Sequence, residues 1–220
     1  MIMTLFLTWN KKINAWSFDV NINQCSKNCE LMQNGLKPYC ISLKERFKNF
    51  IAWHKKLDEN EKAIKKANFE RLMIIEIKEK RANLIRVYSY GDLSCVGDLI
   101  KWSNIALKNP GVKFWLSTRQ DYILNLYFLK MKLLKPDNLI IRYSLPLIKI
   151  PKFLSDFLDK YDIVKSDITP DKKEANCKKS TLNSNCGTCS DCWDASKKII
   201  KYFNHGQMQF RLSYYLRALL

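Results

Sequence analysis

Apolar and polar positions along this chain fall into short blocks whose period switches between two and about three and a half. Residues 4–9 and 15–18 are apolar-rich and short, and read as a strand pair or one strand with a bent continuation. A polar stretch, 19–38, follows as a loop or short irregular helix. From residue 42 the spacing becomes helical: Phe47, Phe50, Ile51 and His54 share one face. Ile64, Ala67, Leu72 and Ile75 suggest a second helix beyond a polar turn at 58–60. Residues 84–90, LIRVYSY, read as a buried strand ending at Gly91-Asp92. Residues 95–108 read as a helix with Leu99, Trp102 and Ile105 on one face, stopped by Asn109-Pro110-Gly111. A strand over 112–116, a helix through Tyr127 and Leu134 broken at Pro136, and a strand over 138–143 come next. A short helix is expected within 151–165, and a final helix or helix pair from Asp194 onward.

Strands such as VKFWL and LIIRY are short and nearly continuously apolar, as parallel strands covered by helices tend to be. The alternation therefore predicts an α/β fold with a mainly parallel sheet or a partial (β/α) barrel. An α/β core over 1–165 would be followed by a cysteine-rich segment and basic helical tail over 166–220. Gly91, Asp92, Thr118, Arg119 and Ser144 fall just past strand ends, the edge where α/β proteins build their sites. Asp92 and Arg119 are the candidate catalytic pair: a carboxylate for a ribose, amine or metal, and a guanidinium for phosphate or carboxylate. Gly91, Asp92, Thr118 and Ser144 are the candidate cofactor contacts. The alternatives are a turn carboxylate for Asp92 and a salt bridge for Arg119.

Charge changes the picture. The chain carries 38 Lys+Arg against 21 Asp+Glu, a formal net charge of +17. Such a surplus favours a polyanion, and nucleic acid is the leading candidate beside a small-molecule substrate. The tail sharpens this by mixing Lys197, Lys198, Lys201, Arg211 and Arg217 with Tyr202, Phe203, Tyr214 and Tyr215. No apolar run approaches the roughly 18 residues of a membrane span. The first ten residues lack the features of a secretory signal, so a cytoplasmic location is expected. There is neither a GKS/T phosphate loop nor an HExxH motif, which removes the common ATPase and metalloprotease readings.

Seven of the eight cysteines form two groups. Cys177, Cys186, Cys189 and Cys192 make the run C-x8-C-x2-C-x2-C; Cys25, Cys29 and Cys40 make C-x3-C-x10-C. Two-residue gaps let a turn aim several sulfurs at one centre, so both groups are candidate metal ligands. An iron–sulfur cluster, with 4Fe–4S favoured, is preferred over zinc, and one or two centres are possible from the count of sulfurs. Cys95 stands apart and reads as a small buried hydrophobe.

The order of these features resembles an uncharacterised family of phage and plasmid cysteine-cluster proteins. That family is similar in outline to radical S-adenosylmethionine enzymes. The matching pieces are the early cysteine group, the segment Arg86 to Asp92, Trp102, NPGVKFWLSTR over 109–119, and CGTCSDCW followed by Tyr202 and His205. The resemblance implies a reactive cluster at Cys25, Cys29 and Cys40, S-adenosylmethionine near Gly91-Asp92, and an auxiliary cluster at the later group. It leaves open whether the chain is an enzyme. The alternatives are a zinc- or cluster-stabilised nucleic-acid-binding protein and a host-interaction protein with a structural metal.

Overall fold

Apolar runs of three to six residues, bounded by turns, pair into a single sheet whose spatial order repeats the order in sequence. The computed structural model describes residues 6–21, 51–145, 150–169, 171–182 and 184–203. Within these, the strands are β1 (Thr8–Asn10), β2 (Ala15–Phe18), β3 (Leu84–Val87), β4 (Lys113–Thr118), β5 (Leu139–Ser144), β6 (Val164–Thr169) and β7 (Ile199–Phe203). The β1–β2 pair is antiparallel and every later pair is parallel. The order begins at β1 and ends at β7, so the sheet is open. The expectation of a partial barrel is corrected on that point.

The helices are α1 (Ile51–Ile64), α2 (Phe69–Glu79), α3 (Val96–Leu107), α4 (Asp121–Asn125), α5 (Lys152–Lys160) and the short α6 (Lys178–Thr181). A π-helical turn, Leu126–Lys130, continues α4, and a 3-10 turn, Asp191–Trp193, precedes β7. Parallel neighbours need crossovers, and crossovers share one hand. A strictly sequential order therefore sends the helices to the same face. The main core confirms this: Phe18, Ile85, Val87, Phe114, Leu116, Leu139 and Ile141 of the sheet join Phe69, Met73, Leu99, Trp102, Ile105, Leu124 and Leu158 of the helices. Burying Trp102 completely, beside Phe18, Phe69 and Phe114, is among the largest local contributions, at about 2–3 kcal/mol per large side chain.

Strand alternation sends the intervening residues to the opposite face. Among the described residues no long helix lies on that face, and it is called helix-free in that sense. A small second cluster of Ile13, Ala15, Trp115 and Trp193 covers part of it. Trp193 packs edge-on against Trp115 at 5.3 Å and donates its indole N–H to the Ile85 carbonyl at 3.0 Å. The N-terminal segment is tied down from the other side. Glu76 of α2, 1% exposed, accepts the amides of Phe6 and Leu7 at 2.6 and 2.9 Å.

Two strands lie where the sequence pattern suggested loop and helix. β6 is VKSDIT and β7 is IIKYF. β6 is recruited by pairing with the growing parallel edge rather than by an apolar run of its own, whereas β7 carries strand-favouring Ile, Tyr and Phe. β7 would be an exposed edge, but the segment before α6 covers it. Asn176 accepts the Lys201 amide at 2.7 Å and donates to the Ile199 carbonyl at 3.0 Å, and Ser180 accepts the Phe203 amide at 2.9 Å. No helix among the described residues is long and apolar enough to cross a membrane.

Candidate functional site

The strand-end residues expected at the C-terminal edge divide between the two faces. Gly91 sits at φ +76°, and a Cβ there would meet the Val20 carbonyl oxygen at 2.8 Å, so only glycine fits. Its neighbour Asp92, 8% exposed, accepts the Leu93 amide at 2.8 Å and the Arg119 amide at 2.9 Å. Burial pushes the Asp92 carboxyl up to about 6, against opposing hydrogen bonds from the Thr118 side chain and those two amides. Gly91, Asp92, Thr118 and the Arg119 backbone thus come together as a clamp between the ends of β3 and β4. Thr118 shares the helix-side alternation of Phe114 and Leu116. Ser144 shares that of Arg142, on the other face, where the Ser166 hydroxyl approaches it at 3.4 Å.

The helix-free face holds the polar residues that the sequence pattern did not single out as a site. Arg142 is 0% exposed and spends its donors on main-chain carbonyls. Nε donates to Cys192 at 2.8 Å, Nη2 to Asp191 and Asp194 at 2.9 Å each, and Nη1 to Lys197 at 3.0 Å and Lys165 at 3.4 Å. One side chain therefore pins the 3-10 turn and its flanks onto the sheet. Arg86, one strand beyond Trp115, places its guanidinium carbon over the Trp115 ring, 4.3 Å from the centroid. Asp19, at the end of β2, accepts the amides of Ser89 and Tyr90 at 2.6 and 3.0 Å. Burial raises its carboxyl to about 6, and the Arg86 charge opposes the rise. The signal for these residues was present as arginines inside the apolar strands LIRV and LIIRYS. An arginine at a buried strand position must be matched by acceptors elsewhere.

The cysteines overturn the metal reading. Among the described residues, no group of three or more His, Cys, Asp or Glu side chains could hold a metal ion. The four sulfurs feel one another's charge but do not form such a group. Cys192 is turned inward, its sulfur 3.3 Å from the Tyr202 hydroxyl, and burial pushes its thiol up to about 11. Cys186 packs against the Trp115–Trp193 cluster while its amide donates to the Lys12 carbonyl at 2.7 Å; burial raises its thiol too. Cys177 precedes α6 and Cys189 sits in the turn between. The segment is held by the Arg142 bonds and the indole of Trp193 rather than by metal. The iron–sulfur and zinc assignments at Cys177, Cys186, Cys189 and Cys192 are corrected accordingly, and with them the S-adenosylmethionine reading built on a cluster. Cys25, Cys29 and Cys40 lie outside the described residues. Cys95 is exposed at the start of α3 rather than buried.

No curated protein and no solved structure matches the chain. A family model described as Gene product 88 matches residues 8–195. This replaces the resemblance to a cysteine-cluster family allied to radical enzymes. The matched range runs from β1 through the 3-10 turn, so it includes both faces described above, and the chain belongs to the Gene product 88 family.

Proposed function

We propose that the protein binds a polyanion, the phosphate backbone of a nucleic acid, through the lysine-bearing unit formed by the 171–182 segment and β7. One observation carries this reading. Lys172, Lys173, Lys178, Lys179 and Lys201 make no ion pair with a described carboxylate, whereas the nearby acids are engaged in local turns. Asp171 accepts the Lys173 amide at 2.8 Å, and Glu174 accepts the Thr169 hydroxyl at 3.1 Å. The Cys177 amide donates to the Lys201 carbonyl at 3.1 Å, which keeps α6 beside β7 and its lysines beside Lys201. The formal charge of +17 supports the same reading at the level of the whole chain. Tyr202 is half-buried with its hydroxyl engaged by Cys192, so the reading rests on phosphate contacts and not on base stacking by this ring.

The test is fluorescence anisotropy with a labelled single-stranded oligonucleotide at several salt concentrations. Affinity should fall with salt, with a logarithmic slope of about −0.7 per phosphate neutralised. Reversing two charges, Lys178→Glu with Lys179→Glu, should weaken binding and make the slope shallower by about 1.4. Reversing the exposed Lys130 and Lys132 on the far side of the fold should change neither quantity as much. Identical isotherms for the wild type and the Lys178/Lys179 variant would remove the proposal.

A further inference from the structure

We propose that the helix-free face carries a second, separate site for a compact oxyanion, the carboxylate or phosphate group of a small molecule, with Ser17, Arg86 and Trp115 as its donors. The three residues form one row across adjacent strands: Ser17 pairs with Arg86, and Arg86 with Trp115. Each has a buried polar atom that lacks a hydrogen-bond partner among the described residues: Ser17 Oγ, Arg86 Nε and Trp115 Nε1. Six side-chain atoms in the described residues share that condition, and three of the six stand in this single row. Scattered packing faults have no reason to align in cross-strand register.

The chemistry of the row selects its ligand. The Nε–H groups of arginine and tryptophan only donate, and a serine hydroxyl donates as readily as it accepts. What fits against them is an acceptor with several lone pairs and no hydrogen of its own. Arg86 adds a positive charge that makes no ion pair among the described residues. Arg86 is half-buried and its charge is felt by Asp19 without an ion pair forming, so an incoming oxyanion would gain a charge-assisted contact there. The cation–π contact with Trp115 holds the guanidinium beside the indole before any ligand arrives. The neighbours on the same face show that unmet donors are not the rule there. Trp193 satisfies its indole N–H on Ile85, and Arg142 satisfies all three of its guanidinium nitrogens. Asp19 does not fill the gap, since two backbone amides hold its carboxylate at the strand end. Ser17 and Trp115, at the two ends of the row, are 2% and 4% exposed, and the half-buried Arg86 between them is the one member that solvent reaches.

The full-length chain, labelled with nitrogen-15, tests the site through its indole N–H resonances. Inorganic phosphate and acetate are titrated in separate arms, with sodium chloride holding ionic strength constant. The Trp115 signal, identified by its loss in Trp115→Phe, is expected to move saturably with at least one anion, and the tighter arm names the ligand chemistry. Arg86→Lys keeps the charge but loses the Nε–H, and should weaken binding about tenfold to a hundredfold. Ser17→Ala should weaken it by about threefold to tenfold while leaving the anion-free protein as stable as before, because it deletes an unmet buried hydroxyl. This second variant keeps the test decisive if Arg86→Lys does not fold. The proposal is overturned if neither anion moves the Trp115 signal against chloride, or if Ser17→Ala binds as the wild type does. A response abolished by the Lys178→Glu, Lys179→Glu variant but intact in Ser17→Ala would assign the anion to the lysine surface and also overturn it. The lysine variant therefore separates failure of this site from failure of polyanion binding.

Discussion

Replacing Arg142 by methionine removes five hydrogen bonds while keeping a side chain of similar length. Four of the five are short, 2.8–3.0 Å, and all end on backbone carbonyls. A typical bond to a charged donor contributes about 1.5–3 kcal/mol, and orphaned buried carbonyls add to the loss. Against this, the variant no longer has to desolvate a guanidinium, which returns several kcal/mol. The balance is a destabilisation of about 3–5 kcal/mol, the range seen when a buried polar network loses its hub. In a chain of this size that lowers the melting temperature by about 10–15 °C. The assay is urea unfolding of Arg142→Met beside wild type, followed by limited proteolysis under native conditions. Cleavage should appear first within 186–198, because the lost bonds all hold that segment except the one to Lys165. A loss below about 1 kcal/mol, with the same cleavage pattern as wild type, would refute the assignment of Arg142 as the anchor.

Gly91→Ala should destabilise by about 2–4 kcal/mol, since it adds left-handed strain to a close approach on the Val20 carbonyl; differential scanning calorimetry reads this as a fall of about 10 °C. Asp92 gives a pH signature of definite sign. Its folded carboxyl is raised from 3.8 to about 6, so its contribution is fully present below about pH 4 and is lost as pH rises through about 6. Two pKa units correspond to about 3 kcal/mol. The stability difference between wild type and Asp92→Asn, measured by urea unfolding, should therefore shift by about that amount against wild type from pH 4 to pH 7. A difference that stays constant over this window would show that the carboxyl titrates normally.

The apolar blocks made β3, β4 and β5 legible, because each is a short hydrophobic run bounded by turn residues. The helix 95–108 was equally clear from Leu99, Trp102 and Ile105, and differs from the observed Val96–Leu107 by one residue at each end. β6 was hidden because its side chains alternate with lysine, serine and aspartate, whereas β7, IIKYF, is a short β-branched and aromatic run that was read as part of a terminal helix. The strand character of β6 comes from the neighbour it adds to, which a local pattern does not contain. The cysteine spacing misled for a related reason. Sequence separation constrains which sulfurs can meet but not whether they do, and the Arg142 bonds orient this segment otherwise. Gly91 and Asp92 were visible as a strand end, but their bonding as an inter-strand clamp required the partner strand. The row Ser17, Arg86 and Trp115 has no local signature, since its members lie 69 and 29 positions apart and meet only through register.

The sequential strand order also dictates when each surface can be completed during synthesis. Every parallel pair up to β6 forms between a segment and the next one to leave the ribosome, with its own crossover beside it. The cover of the helix-free face is different. Trp193 reaches back to Ile85 across 108 residues, and the Cys186 amide reaches Lys12. Arg142 likewise waits for carbonyls 49 to 55 positions downstream of it, apart from the one on Lys165. Until residues 186–197 emerge, Trp115 and two arginines lie bare on one side of an otherwise assembled sheet. A nascent chain stalled in that interval exposes both an aromatic surface and unmatched cations, so the interval before residues 186–197 are made is when this fold most needs protection from misassociation.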